Sequence, residues 1–227
     1  MTRSKIAIAG DGQAADLLLA IIAEDTRYEA TIIIADRSPE IQSPQEFRGL
    51  PLISLDGYAE QYGALTEGVI VAVGYRNLNR NRELFCQRLV AKGLNLMSFI
   101  HPSAVVSRSA TLGRGSLVLA GSVVEPFSNI GENTVVWSNC TVAHHANIGD
   151  NCWIAAGAVV SGHAEIGNNC FLGIGSVISN HVSIGEFSIL GAGVLATQDV
   201  APYATLLENK SKQIDFSSER YWRFLDG

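Results

Sequence analysis

The chain has 227 residues, 47% of them hydrophobic and 17% charged, a globular composition with a large core and room for one or two domains. A net charge of −6 argues against a nucleic-acid surface. The opening MTRSKIAIAG lacks the apolar stretch of a signal peptide and no apolar run is long enough for a membrane helix, so no span is expected and the cytoplasm is the expected compartment.

Residues 5–10 (KIAIAG) read as a buried strand running into a glycine turn, and the helix after it has an apolar face of Leu17, Leu18, Ile21 and Ile22. Residues 30–35 give a second strand, which ends on Asp36 and Arg37. A strand, a glycine turn, a helix and a strand with an acidic end make the opening of a nucleotide-binding βαβ unit. The motif Gly10-Asp11-Gly12-Gln13-Ala14-Ala15 has alanine in place of the third glycine, which makes it a weak dinucleotide signature. After a polar loop with Pro39 and Pro44, residues 49–55 form a strand, and Asp56 is expected to cap a short helix. Residues 68–74 are the clearest strand; it ends on Gly74, Tyr75 and Arg76, before a helix that buries Leu78, Phe85 and Leu89. Residues 94–99 close the unit with a last strand.

A parallel sheet takes its ligand beyond the carboxyl ends of its strands. Three ends converge here: Gly10, Asp11, Gly12 and Gln13; Asp36 and Arg37; and Gly74, Tyr75 and Arg76. Turn glycines admit phosphate oxygens, a helix N-terminus attracts them, and Asp36 can accept hydrogen bonds from a ribose or base. The same residues also suit strands that simply end. A unit this short, closing by Phe99, fits a nucleotide or nucleotide sugar better than a dinucleotide.

From Ile100 to Leu190 an aliphatic residue falls at every sixth position, and four residues after each stands a small or β-branched one. Ile-Gly or Leu-Gly pairs recur at every third hexad, starting at positions 112, 130, 148, 166 and 184. Such self-similarity marks a solenoid. It predicts a parallel β-helix of triangular turns, three hexads to a turn, with one aliphatic inward per side and a small residue at each bend, where longer side chains would overfill the interior. Residues 201–227, polar and then aromatic through Tyr221, Trp222 and Phe224, are expected to cap the open end. Cys140, Cys152 and Cys170 take the small inward position and Cys86 lies in a helix, a pattern of buried free thiols that makes a cysteine acyl-enzyme unexpected.

All five histidines, His101, His144, His145, His163 and His181, lie in or beside the solenoid, and the last three share one position in successive turns. Three uses compete. His144 can serve as a general base near neutral pH. The column can bind zinc, although turns about 4.8 Å apart against Zn–N bonds of about 2.0–2.1 Å leave one chain only two adjacent ligands. Solvent-facing imidazoles can also merely stack.

The hexad pattern resembles the hexapeptide-repeat acyltransferases, whose fold is a left-handed parallel β-helix. That hand comes from the resemblance, because it runs against the right-handed crossover rule. A short Rossmann-like N-terminal domain joined to such a solenoid is similar to the PglD/NeuD-type sugar acyltransferases. The points of resemblance are the Gly10 turn, Asp36, the strand end Ala72-Val73-Gly74, Ile100-His101-Pro102-Ser103-Ala104, and Val142-Ala143-His144-His145-Ala146-Asn147-Ile148-Gly149. The resemblance implies a Rossmann-like nucleotide-sugar-binding domain over 1–98, a left-handed β-helix acyltransferase domain over 99–200 and a capping tail over 201–227.

It further implies N-acetylation of a nucleotide-linked amino sugar by acetyl-CoA, for bacterial surface glycan synthesis, in a homotrimer that needs no metal. His144 would take the amine proton during direct attack on the thioester. His145 stands where the family often has Glu or Asp, and it brings no negative charge. The backbone N–H of Gly162 would face the thioester oxygen, and Ile174 and Ala192 would line the pantetheine path. Trp153 replaces a polar thioester contact. The nucleotide would rest on the N-terminal domain with its sugar pointing toward His144, so that remote binding energy positions the amine. Three other readings remain: a NeuD-type O-acetyltransferase, a non-catalytic nucleotide-sugar-binding solenoid, and a zinc hydratase.

Overall fold

In the computed structural model, which describes residues 2–36 and 45–207, the chain opens with β1 (Ser4–Ala9), buried from Ile6 onward. Burial on both faces suits the middle of a parallel sheet. Helix α1 (Gln13–Glu24) buries Ala15, Leu18 and Ile22 but leaves Leu17 exposed. The strands β2 (Tyr28–Ala35), β3 (Gln45–Phe47), β4 (Leu50–Ser54) and β5 (Val69–Val71) complete a sheet of order β3-β4-β2-β1-β5. All its pairings are parallel except that of β3 with β4.

Two local expectations need correcting. Ser54, not Asp56, caps α2 (Leu55–Gln61): its hydroxyl accepts the Gly57 N–H at 3.2 Å, while Asp56 pairs with Lys92 at 2.6 Å. The last strand of the unit reduces to one bridge between Leu96 and Val69, because Phe99 and Ile100 already pair with Leu117 and Val118 in the solenoid.

From Phe99 the chain winds into three stacks of two-residue parallel strands, in which each strand pairs with its equivalent one turn on, as Val135 does with Trp153 and Thr141 with Val159. The inward aliphatics from Val118 to Leu190 form one buried cluster. The small residues at the bends also serve as hydrogen-bonding groups. The Ser116 hydroxyl donates to the Gly131 carbonyl at 2.7 Å and accepts the Thr134 N–H at 2.9 Å. Thr134 repeats this with Gly149 and Cys152, both at 2.9 Å, and the Cys152 thiol donates to the Gly167 carbonyl at 3.1 Å. Buried backbone groups need partners, and these side chains supply them one turn away. From Gly115 to Gly193 each bend also contains a residue of positive φ, among them Asn133, Asn151 and Asn169 on one edge, Gly121, Gly157 and Gly175 on a second, and Phe127, His145, His163 and His181 on the third.

The three faces differ in what they present. Phe99, Leu117, Val135 and Trp153 point out of the first and join Ile6, Ile8, Leu18 and Ile22 in a shared core. The second carries Val105, Val123, Val159, Val177 and Leu195. The third is polar: Asn129 donates to Asn147 at 2.8 Å, and Asn147 to Glu165 at 3.1 Å. Helix α3 (Arg80–Ala91) fastens the sheet to the solenoid through Arg82. Its fully buried guanidinium donates to the carbonyls of Val71 (2.7 Å), Val73 (3.3 Å), Gly115 (3.1 Å) and Asn133 (3.2 Å). Desolvation pulls its pKa down to about 10, so it stays charged at neutral pH. No helix among the described residues is long and apolar enough to cross a membrane.

Candidate active site

The bend between the strands Thr141–Val142 and Asn147–Ile148 presents His144 and His145 to solvent. His145 has φ +60°, a region that favours glycine but that His, like Asn and Asp, enters more readily than most residues. The positive-φ position repeats every turn, so the rings of His145, His163 and His181 stack, with centroids 4.7 and 4.8 Å apart and planes within 10°. Phe127 continues the column 5.0 Å from His145.

His144 is set across this column. Its ring meets those of His145 and His163 edge-on, at 83° and 82°, with centroids 5.4 Å away. Its Nδ1 lies 3.2 Å from Nδ1 of His145. When His144 donates that proton, its Nε2 lone pair is left free, the tautomer a general base needs. Gly162, one turn on, makes room for the ring: a Cβ there would sit 2.7 Å from Cε1 and 2.9 Å from Nε2 of His144. Among the described residues no oxygen accepts the Gly162 N–H, which leaves a backbone donor beside the imidazole. His163 is held below the usual imidazole pKa by desolvation and then by repulsion from His145, His181 and His144.

Sequence reasoning missed Glu125, whose carboxylate accepts the His144 backbone N–H at 2.8 Å and fixes the bend. The signal was present, because positions 107, 125, 143, 161 and 179 read Ser, Glu, Ala, Ser and Ser.

Residues 127–162 and 163–197 match the family model of the bacterial transferase hexapeptide (six repeats). The acetyltransferase domain of PglB from Neisseria gonorrhoeae FA1090, solved in complex with acetyl coenzyme A, superposes with a TM-score of 0.80 at 28% identity, covering 94% of this chain and 100% of that one. A histidine-to-asparagine variant of perosamine N-acetyltransferase from Caulobacter crescentus, in complex with CoA and GDP-perosamine, gives 0.79 at 25% identity, covering 94% and 99%. The chain is a hexapeptide-repeat acyltransferase. WeeI from Acinetobacter baumannii AYE, at 20% identity and a TM-score of 0.65 over 92% and 99% of the two chains, shares the fold. None of the curated protein sequences matches this one.

The other candidate residues of this acyltransferase lie elsewhere. Ile174 and Ala192 are exposed one turn apart on a second edge of the solenoid, between the face under the N-terminal sheet and the apolar face. Trp153 is a correction. It is buried on the face opposite the His144 edge, stacked on Trp137 at 5.2 Å and met edge-on by Tyr75 at 5.2 Å. It therefore packs the sheet against the solenoid and does not face the His144 of its own chain.

Gly10, Asp11, Gly12, Gln13, Asp36, Gly74, Tyr75 and Arg76 gather at one end of the sheet, because β2, β1 and β5 are parallel neighbours. Gly10, at φ +130°, packs so closely on Ala72 that a Cβ would lie 2.5 Å from its carbonyl oxygen. Open space lies above Gly12 and Gly74. An apolar crevice adjoins them, lined by Ala14, Leu17, Val73, Trp137 and Trp153. Asp36 pairs with Arg88 of α3, so a ribose or base would have to share or displace that guanidinium. Arg37 lies outside the described residues, as does the tail from 208 to 227, and Tyr203 before it stacks on Phe187 at 5.2 Å.

Proposed function

We propose that this acyltransferase moves the acetyl group of acetyl-CoA to the amine of a nucleotide-linked amino sugar, with His144 as general base and no covalent enzyme intermediate. The observation that carries the reading is the His144 ring seated over Gly162 with Nδ1 held by His145. The amine nitrogen attacks the thioester carbon as His144 Nε2 takes the amine proton. The Gly162 N–H stabilises the oxyanion while it exists, the C–S bond breaks, and CoA leaves as a thiolate that recovers a proton. His145 holds the resulting imidazolium as a neutral hydrogen-bond acceptor, a weaker anchor than a carboxylate.

The N-terminal sheet serves as a Rossmann-like nucleotide site. Residues 1–98 and 99–200 form the two domains, the solenoid is wound left-handed, and Ile174 and Ala192 guide the pantetheine. Within one chain, however, the nucleotide end of the sheet lies by the face opposite the His144 edge. A sugar bound there meets the base of a neighbouring copy, not its own. The apolar second face supports such a neighbour, since Val105 and Leu195 are 63% and 61% exposed. A homotrimer built on that face satisfies both observations.

The test is release of free CoA thiol from acetyl-CoA with UDP-, dTDP- and GDP-linked amino sugars. Turnover with one of them names the substrate. Turnover only with a sugar hydroxyl acceptor replaces N- with O-acetylation, and none with any acceptor sinks the reading.

A further inference from the structure

We infer that His144, His145 and His163 form a binding site for a divalent transition cation of the Zn²⁺ class, and that the bound cation switches the general base off. The second half rests on the base role proposed for His144; the first does not.

The three ring nitrogens lie within 4.8 Å of one another, a trio that sequence spacing alone does not reveal because His144 sits off the column. The Nδ1 atoms of His144 and His145 are 3.2 Å apart. Two ligands on a tetrahedral ion with bonds of about 2.0–2.1 Å are themselves about 3.3 Å apart, so this pair already has the bite of a chelate. The His163 ring is stacked parallel to that of His145. It must turn about its side-chain bonds to aim a nitrogen at the ion, and an exposed imidazole turns at low cost. Water would complete the coordination.

Backbone preference does not account for the cluster. Positive φ occurs at equivalent bends on the other two edges, where Asn133, Asn151 and Asn169 or Gly121, Gly157 and Gly175 fill it. Among the positive-φ bend residues, histidine occurs only along the edge that carries His144.

The switching follows from the proton count on His144. In the active tautomer the proton is on Nδ1 and the lone pair on Nε2. Coordination through Nδ1 uses that nitrogen's lone pair and moves the ring's one proton to Nε2, which can then accept nothing. The ion inhibits without touching substrate.

Isothermal titration of tag-free, metal-stripped protein with Zn²⁺, read beside acetyl transfer in the same buffers, tests both halves. We expect one site per chain, a Co²⁺ spectrum of nitrogen and oxygen ligands without thiolate bands, and transfer that falls with occupancy and returns with EDTA. His163→Ala should weaken Zn²⁺ binding on the order of 10-fold or more and leave the metal-free rate unchanged. Binding weaker than about 0.1 mM, or binding that His163→Ala does not weaken, overturns the site. Binding at the site with transfer undiminished upholds the site and refutes His144 as the base.

Discussion

Gly162→Ala isolates the packing of the base from the stability of the fold. No positive φ holds Gly162, so alanine meets no backbone strain there. Its added Cβ would lie 2.7 Å from Cε1 and 2.9 Å from Nε2 of His144, against 3.4–4 Å for an ordinary contact, so the ring must move by about 0.7 Å. The clash is with an exposed side chain, and the ring can give way without disturbing the coil. Misplacing a catalytic group by about 1 Å can cost on the order of 10²-fold in rate. The expectation is therefore a roughly 10²-fold loss in CoA thiol release, with a thermal midpoint within a few degrees of wild type. A variant that turns over at the wild-type rate would refute the argument that this ring position is the productive one. One that unfolds would show that Gly162 serves the coil instead.

Thr134→Val keeps the shape of the bend but strands two buried backbone groups, the Gly149 carbonyl and the Cys152 N–H. Urea unfolding should show a loss of about 2–6 kcal/mol, at roughly 1–3 kcal/mol for each orphaned group. Arg82→Leu removes the donor shared by four carbonyls from the two units, and about 3 kcal/mol, or roughly 6–12 °C of Tm, should follow. Acid unfolding tests Asp25, whose carboxyl is held below its usual 3.8 chiefly by its hydrogen bond to Arg27. Because the folded pKa is the lower one, the unfolded chain binds more protons across that window. The stabilisation is present above it and is lost as pH falls through the folded value. Asp25→Asn should thus be less stable at neutral pH, with a shallower fall in stability below about pH 4.

The solenoid was legible because its physics is periodic. An inward aliphatic at every sixth position leaves no other register, and the bends follow from it. The parallel strands of the N-terminal unit were legible from their apolar runs, and the pairing of β1 with β2 and β5 gathers the glycine turns as their order suggested. Period alone does not say which outward face is covered. Trp153 was therefore misplaced, although Phe99, Leu117, Val135 and Phe171 in the same register mark a face built for burial. The Asp36–Arg88 pair and the Arg82 clasp join residues far apart in sequence, and nothing in local pattern separates Arg82 from exposed Arg80. At the site, the stacking of His145, His163 and His181 was written in their spacing, whereas the turn of His144 over Gly162 depends on the absence of one Cβ in the next turn.

The most direct measurement is the rate of CoA release by His144→Ala beside wild type, with the amino sugar that wild type accepts, across neutral pH. A loss on the order of 10²-fold or more, together with removal of the rate's dependence on an imidazole-range pKa, is the predicted result. A variant that keeps its full rate and its pH dependence would contradict the account, because the proton would then leave the amine by a route that does not pass through this edge of the solenoid.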